Sequence, residues 1–269
     1  MRRSIGKVLA ATFCAANLFG LQALAAEGEG VIEDVDFSFE GPFGAYDFAA
    51  VQRGFQVYKT VCHSCHSLDY FAFRNLTHVG YSEDQAKAIA QEFQVTDGPN
   101  DQGEMYQRSA KLSDHMPAPF ENEQMARLVN NGALPPDLSV IVDARAGGAD
   151  YIYSLLTGYT DPPEGTELRM GMYWNTAFTG NQIAMAPPLF EGMVSYQDGT
   201  EATTEQMARD VSHFLAWMSE PHMMARKESG VAYMIFMAVF VVLLYFSYKR
   251  VWAPLKRGES PLNESDRTA

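Results

Sequence analysis

The chain has 269 residues, of which 47% are hydrophobic, and it carries a formal net charge of −13 at pH 7. It contains only three cysteines, so the sequence excludes a small domain built on a framework of disulfides. Residues 27–230 hold 12 Lys and Arg against 30 Asp and Glu, a net charge of about −18, and a field of that sign repels nucleic acid and attracts basic proteins.

The first 26 residues have the pattern of a secretory signal peptide. Basic residues precede an apolar run from Val8 to Ala23, and Ala23-Leu24-Ala25 is a small-residue cleavage site. Cleavage after this site removes Cys14, which leaves a mature chain with two cysteines. The alternative is a retained membrane anchor, but the apolar run is short and interrupted by polar residues. We therefore predict export of the chain and removal of residues 1–26.

The segment Cys62-His63-Ser64-Cys65-His66 is the attachment signal of a c-type haem. Residues three apart lie on one face of a helical turn, so Cys62 and Cys65 can each bond to one vinyl group on the same haem edge. His66 follows directly and is predicted to be the proximal ligand of the iron. The motif therefore predicts one covalently attached haem c.

Two other kinds of site use a Cys-x-x-Cys pair: a thioredoxin-like redox site and a zinc site. A redox pair typically lies near a βαβ pattern, and the sequence shows none. A zinc site needs a second pair of ligands at similar spacing, and the only other cysteine is Cys14. The haem interpretation is therefore favoured.

The exported segment, residues 27–230, is predicted to be one mainly α-helical domain with long loops. Apolar residues recur at helical spacing from Val51 to Tyr58, and Gly54 would let a second helix approach closely. Near the other end, Thr203 to Gln206 has the pattern of a capping box before an apolar helix face at 207–218, and these two helices are predicted to cross. Further helices are predicted at 82–93, 122–131 and 150–156, and loops at 96–103, 134–138 and 160–165.

An iron that transfers electrons with little rearrangement needs a sixth ligand, and methionine is the usual one. The chain has 14 methionines. Met185 is the first candidate, because small residues and Pro187-Pro188 beside it favour a stiff segment that can approach a porphyrin closely. The other candidates are Met116, Met170, Met172 and Met193, and, for a bis-histidine site, His78 and His115.

A second apolar segment, residues 231–248, contains no charged residue and spans about 27 Å as a helix, close to the thickness of a membrane interior. More basic residues follow the segment than precede it, which indicates a cytoplasmic C-terminus. The alternative is a buried core helix, but a core helix of this length would normally show a polar face. We predict a transmembrane helix at 231–250 and a short cytoplasmic tail at 251–269.

Five motifs, in order along the exported segment, resemble the cytochrome c1 family. They are Arg53 to Tyr58, Asn131 to Ser139, Ala144 to Tyr151, Leu155 to Tyr159 and Ile183 to Pro188. The similarity covers nearly the whole exported segment, and the single C-terminal anchor agrees with it. The resemblance implies a class I cytochrome c-like haem domain with long loop insertions, followed by one transmembrane helix.

The resemblance also implies site residues. By this resemblance, Cys62 and Cys65 form the two thioether bonds and His66 is the proximal ligand of the iron. Met185 is the distal ligand. Arg145 and Tyr151 match family positions near the haem propionates, where a guanidinium offsets carboxylate charge. The alternative for both is a surface residue beside a helix. Some bacterial relatives have a disulfide in the haem domain that this chain lacks, so the sequence does not show what holds the Met185 segment.

The function implied by the resemblance is that of the haem subunit of the cytochrome bc1 complex, the ubiquinol to cytochrome c oxidoreductase. The implied partners are cytochrome b in the membrane, the Rieske iron-sulfur protein as electron donor, and a soluble or anchored cytochrome c with a basic surface as acceptor. Such a subunit carries electrons and is not an enzyme by itself. We expect it in the bacterial inner membrane, with the haem domain in the periplasm and the C-terminus in the cytoplasm.

Two other functions stay open at the level of the sequence. The first is a haem subunit of another respiratory or photosynthetic chain, which differs only in its partners. The second is a haem sensor or enzyme whose sixth iron position is open, which would have no methionine ligand.

Overall fold

Helices are the main regular structure of residues 30–258, the part of the chain that the computed structural model describes. The α-helices are α1 (Phe48–Thr60), α2 (Glu83–Gln91), α3 (Glu123–Val129), α4 (Gly148–Thr157), α5 (Thr204–Ser219) and α6 (Met223–Lys256). Short 3-10 helices lie at Cys62–Ser64 and Phe73–Val79. Strands β1 (Gln94–Asp97) and β2 (Tyr106–Ser109) form one antiparallel pair, and β3 (Tyr173–Trp174) and β4 (Gln182–Ile183) form another. The prediction of a mainly α fold is confirmed.

The described residues divide into two units, one made of residues 30–37 and 46–220 and the other of residues 38–45 and 221–258. The first unit contains α1 to α5 and both strand pairs. The predicted signal peptide at 1–26 and the predicted tail beyond residue 258 lie outside the described residues.

Helices α1 and α5 cross in the core of the first unit, as predicted. Gly54 lies at the crossing, where an added Cβ atom would come within 2.0 Å of the carbonyl oxygen of Asp210. Next to it, the rings of Phe55 and Phe214 pack edge to face, with their centroids 5.6 Å apart. The predicted close approach at Gly54 is therefore confirmed: any larger residue would push the two backbones apart.

A buried ion pair fixes the position of α1 on α5. The guanidinium of Arg53 donates two hydrogen bonds, of 3.0 and 2.9 Å, to the fully buried carboxylate of Asp210. It donates a third, of 2.9 Å, to Asp198. The hydrogen bond to Asp210 raises the pKa of Arg53, although burial acts the other way. Because a buried carboxylate is costly without a partner, this pair favours a single arrangement of the two helices.

Side-chain caps begin the helices close to the predicted positions. Ser82 and Gln85 form a complete capping box at α2, with bonds of 2.8 and 3.2 Å. At α5 the hydroxyl of Thr203 accepts the N–H of Gln206 at 3.1 Å. The predicted loop at 96–103 is wrong at its start, because its first two residues belong to β1 and pair with β2.

The second unit is dominated by α6, a helix of 34 residues that is long and apolar enough to cross a membrane. It includes the predicted span at 231–250 and continues beyond it to Lys256. The side chains of its apolar window are exposed, as expected for a helix that faces lipid. Near its start, the ammonium of Lys227 donates to the carbonyls of Phe39 and Gly44 at 2.6 and 3.1 Å and so ties the 38–45 loop to the helix.

Candidate functional site

A cavity of about 750 Å³ in the first unit collects the residues predicted for the site. Its wall is mostly apolar, and its volume is typical of a cofactor site. The wall includes every residue predicted to hold the cofactor: Cys62, Cys65, His66, Arg145, Tyr151 and Met185. The fold therefore brings together segments that are about 120 residues apart in the sequence.

A tight turn places the two cysteines and the histidine on the same wall. The N–H groups of Cys65 and His66 both donate to the carbonyl of Cys62, at 3.1 and 2.9 Å. Cys62 thus lies in a 3-10 turn just after α1 and not within the helix itself. Burial raises the pKa of the Cys62 thiol to about 12. A redox-active pair needs an easily formed thiolate, so this environment disfavours the thioredoxin-like alternative.

The imidazole of His66 is oriented by a main-chain carbonyl. Its Nδ1 lies 2.7 Å from the carbonyl oxygen of Pro136. A carbonyl only accepts hydrogen bonds, so Nδ1 carries the proton and the Nε2 lone pair is available to a metal. Burial also lowers the pKa of His66, which favours the neutral ring. Pro136 lies in the 131–139 motif, but its sequence pattern gives no signal for this role.

The structure narrows the set of candidate sixth ligands. Among the methionines, Met185 and Met193 line the cavity. The side chain of Met170 is fully exposed to solvent. Met170 does not contribute to the cavity wall. The same holds for the other candidates, Met116, Met172, His78 and His115. The choice is thus reduced to two residues, and Met185 lies in the motif that resembles the family.

Hydrogen bonds hold the Met185 segment where the sequence suggested no mechanism. The Tyr159 hydroxyl donates to the carbonyl oxygen of Met185 at 3.0 Å, and β4 just before it pairs with β3. The fully buried Asn175 supports this region with two hydrogen bonds. Its side-chain amide donates to the carbonyl of Leu155 at 2.8 Å, and its backbone N–H donates to the carbonyl of Asn181 at 2.9 Å. Both described cysteines are free, so no disulfide takes part within residues 30–258.

Arg145 and Tyr151 lie on the same cavity wall, one exposed and the other half-buried. Burial raises the pKa of Tyr151, and the positive charge of Arg145 acts against that shift. The guanidinium donates one hydrogen bond of 3.1 Å to the carbonyl of Ala144. A cation beside a phenol at the rim of an apolar cavity is suited to an anionic group at the edge of a bound ligand.

The donor set fits a haem better than an isolated metal ion. In the described part of the chain, no three His, Cys, Asp or Glu side chains are grouped to hold a metal. The cavity wall instead offers one imidazole nitrogen, one thioether sulfur and a pair of thiols at c-type spacing. These residues match the needs of a flat apolar group with an iron at its centre.

Comparison with known proteins gives consistent results. The Cytochrome C1 family matches residues 37–255. A Schizosaccharomyces pombe protein named "Cytochrome c1, heme protein, mitochondrial" is 49% identical over 211 residues, 78% of this chain and 69% of that protein. The "Cytochrome b-c1 complex catalytic subunit, mitochondrial" of Candida albicans is 49% identical over 217 residues, 80% of this chain and 75% of its own length. A Bradyrhizobium diazoefficiens protein named "Cytochrome b/c1" is 43% identical over 276 residues, 93% of this chain and 40% of that protein.

Proposed function

This chain belongs to the cytochrome c1 family, and on that premise we propose that it takes one electron from a Rieske iron-sulfur protein and passes it to a cytochrome c. Its family makes it a c-type haem protein and an electron-transfer subunit of the cytochrome bc1 complex. The observation that carries the proposal is the single cavity whose wall holds Cys62, Cys65, His66 and Met185.

When bound, the haem supplies a one-electron couple at its iron. Cys62 and Cys65 would hold the haem covalently, each through a thioether that its S–H forms by adding across one vinyl group. His66 offers Nε2 as the proximal ligand and keeps its orientation through the bond to Pro136. Met185 would offer its sulfur as the second protein ligand, and the apolar wall would exclude water from the bound group.

Arg145 and Tyr151 complete the proposed site at its rim. The guanidinium offsets the charge of the haem propionates, and the tyrosine hydroxyl offers them a hydrogen-bond donor. This arrangement agrees with their shared position on the cavity wall. Neither residue is proposed to react.

The proposed partners follow from the family and from the anchor. The names of the Candida and Bradyrhizobium relatives support an association with cytochrome b in the membrane. We assign residues 27–230 to the haem domain, 231–250 to the transmembrane helix and 251–269 to the cytoplasmic tail. The signal pattern and the basic residues after the span support a haem domain in the periplasm of a bacterial inner membrane. Quinol oxidation belongs to the whole complex, and this subunit by itself carries only electrons.

The first test is to purify the full-length chain from membranes of a host that matures c-type cytochromes. We expect haem staining to stay with the polypeptide after denaturing electrophoresis, because two thioether bonds survive unfolding. We also expect cytochrome b and a Rieske protein to co-purify. A colourless denatured chain would contradict the haem assignment, and a different set of companions would place the subunit in another electron-transfer chain.

The distal ligand is tested by comparing Met185→Leu with Met193→Leu, since both methionines line the cavity. We expect Met185→Leu to abolish the near-infrared sulfur-to-iron band and to lower the reduction potential, because a thioether ligand raises the potential. Met193→Leu is the matched control and should keep the band. Loss of the band in the control alone would move the distal ligand to Met193, and a parent protein without the band would favour an open-site sensor or enzyme.

A further inference from the structure

The carboxylate of Asp137 joins two segments of the candidate haem site. One of its oxygens accepts hydrogen bonds from the hydroxyl of Ser67 and the backbone N–H of Asp69, both at 2.8 Å. The other accepts the backbone N–H of Ser139, also at 2.8 Å. The N–H of Leu138 donates to the carbonyl of Ser67 at 3.0 Å and adds a main-chain link between the same segments.

These two segments carry the two ends of the hydrogen bond that orients the proximal histidine. Ser67 directly follows His66, and Asp137 directly follows Pro136. We call the hydrogen bonds that the Asp137 carboxylate accepts the Asp137 clamp. The clamp therefore holds the chain one residue away from each end of the 2.7 Å contact between His66 Nδ1 and the Pro136 carbonyl. Hydrogen bonds from groups next to a ligating histidine set the direction and the basicity of its imidazole.

The carboxylate of Asp137, at the centre of the clamp, is ionised at neutral pH. Burial alone would raise the pKa of Asp137, but the donors from Ser139, Asp69 and Ser67 outweigh it, and the pKa lies below its usual range. The hydroxyl of Ser139 in turn accepts the backbone N–H of Tyr70 at 3.1 Å, and Ser139 is fully buried. The network thus reaches the core at Ser139, whereas Ser67 and Asp137 are half-buried and Asp69 is exposed.

From these contacts we propose that Asp137 is a positioning residue, which holds the Pro136 carbonyl against His66 and thereby lowers the reduction potential of the bound haem. The proposal rests on the proposed function, since it needs a haem on His66. A firmer Nδ1–H···O bond makes the imidazole a stronger donor to iron, which favours the oxidised state. A fixed negative charge nearby favours the more positive, oxidised iron as well. Both effects act in the same direction.

The test compares Asp137→Asn, Asp137→Ala and Ser67→Ala in the full-length haem protein. The amide of Asp137→Asn keeps the shape of the side chain but places an N–H donor where a carboxylate oxygen accepted, so one end of the clamp is lost. We expect the reduction potential to rise in both Asp137 variants. In the reduced protein, we expect the Nδ1 proton of His66 to exchange with solvent about tenfold faster in Asp137→Ala, as the loss of one strong hydrogen bond would give.

Asp114→Asn is the matched control. Its carboxylate also accepts several hydrogen bonds, from Arg108 and the N–H of Lys111, but neither donor adjoins a residue of the candidate haem site. We expect this variant to leave both the potential and the exchange rate unchanged. If Asp137→Ala fails to fold, Asp137→Asn and Ser67→Ala still report on each half of the clamp.

Three results would overturn the proposal. Unchanged potential and exchange in a folded, haem-bearing Asp137→Asn would leave Asp137 with a purely structural role. A shifted reduction potential with an unchanged exchange rate of the His66 Nδ1 proton would mean that Asp137 acts only through its charge and does not position the histidine. A parent chain that carries no covalent haem would overturn the proposed function itself, and that failure is recognised before any variant is compared.

Discussion

Hydrogen bonds to main-chain carbonyls orient both residues proposed as iron ligands. His66 donates through Nδ1 to Pro136, and its own carbonyl accepts the hydroxyl of the fully buried Tyr58 at 2.9 Å. On the other segment, the carbonyl of Met185 accepts the hydroxyl of Tyr159. A buried tyrosine usually finds a partner for its hydroxyl, and here both partners lie in ligand-bearing segments.

Tyr159→Phe tests whether that hydroxyl secures the Met185 segment. Removing one neutral hydrogen bond should cost about 1 kcal/mol and make the sulfur easier to displace from the iron. The near-infrared band should then be lost at a lower temperature and a lower pH than in the parent. Tyr173→Phe is the control, because Tyr173 lines the same cavity and is 41% exposed. Equal shifts in both variants would show that the bond to Met185 is not the cause.

At the level of elements, the crossing of α1 and α5 determines where the haem motif begins, since the Cys62 turn follows α1 directly. The crossing depends on a glycine, because the backbone of Asp210 occupies the space of a Cβ atom at Gly54. The bidentate Arg53–Asp210 pair beside it adds a charged contact that fits only one arrangement of the helices.

Gly54→Ala should therefore destabilise the first unit. The methyl group would overlap a backbone carbonyl that cannot move without shifting a helix, and overpacking of this kind costs about 1–3 kcal/mol. Urea denaturation followed by circular dichroism measures the change. Gly230→Ala is the control, since a Cβ atom there has no neighbour within 4 Å. An unchanged midpoint in Gly54→Ala would mean that the two helices separate at little cost.

The turn after the β1–β2 hairpin has an acidic group whose ionisation supports folding. The guanidinium of Arg108 donates to Asp114 and also to Asp97 in β1, so it joins the hairpin to the turn. Its hydrogen bonds are the main reason that the pKa of Asp114 falls to about 2. The folded-state value thus lies below the value of about 3.9 expected in the unfolded chain.

A group with a depressed folded-state pKa stabilises the protein above its unfolded pKa, and this contribution is lost as the pH falls towards the folded value. We therefore expect Asp114→Asn to be less stable than the parent by a constant amount between pH 5 and pH 7. The difference should shrink between about pH 4 and pH 2. Solvent screening limits it to about 1 kcal/mol or less. Urea unfolding of both proteins across this range measures it, and a difference independent of pH would exclude an ionic origin.

At the scale of the whole molecule, the charge is unevenly distributed along the chain. Residues 27–230 carry about −18, whereas basic residues follow the apolar span. An acidic domain of this kind attracts a basic partner over distances of about 10 Å at 0.1 M salt, and more weakly as salt is added.

Electron transfer to a basic cytochrome c should slow at least about tenfold between low and physiological ionic strength, because electrostatic steering raises encounter rates by that factor or more. Stopped-flow kinetics with the detergent-solubilised haem protein measures the rate. Ferricyanide is a useful control, since reaction with an anionic oxidant should become faster as salt screens the repulsion. A rate with cytochrome c that does not depend on salt would leave the charge as a solubility feature only.

Features that depend on spacing along the chain could be predicted without knowledge of the fold. Cys62, Cys65 and His66 lie within one turn, Ser82 and Thr203 cap their own helices, and the apolar run of α6 is continuous. Each is a local pattern in which the interacting residues are at most a few positions apart, so no knowledge of the fold is needed to recognise it.

Contacts between residues far apart in the sequence could be identified only from the folded chain. It reduced five candidate methionines to Met185 and Met193, and it showed Tyr159, Pro136 and Asp137 beside the ligand-bearing segments. These contacts join residues 26 to 70 positions apart. Such a contact leaves no periodic pattern in the sequence, because it depends on how loops fold back over the crossed helices.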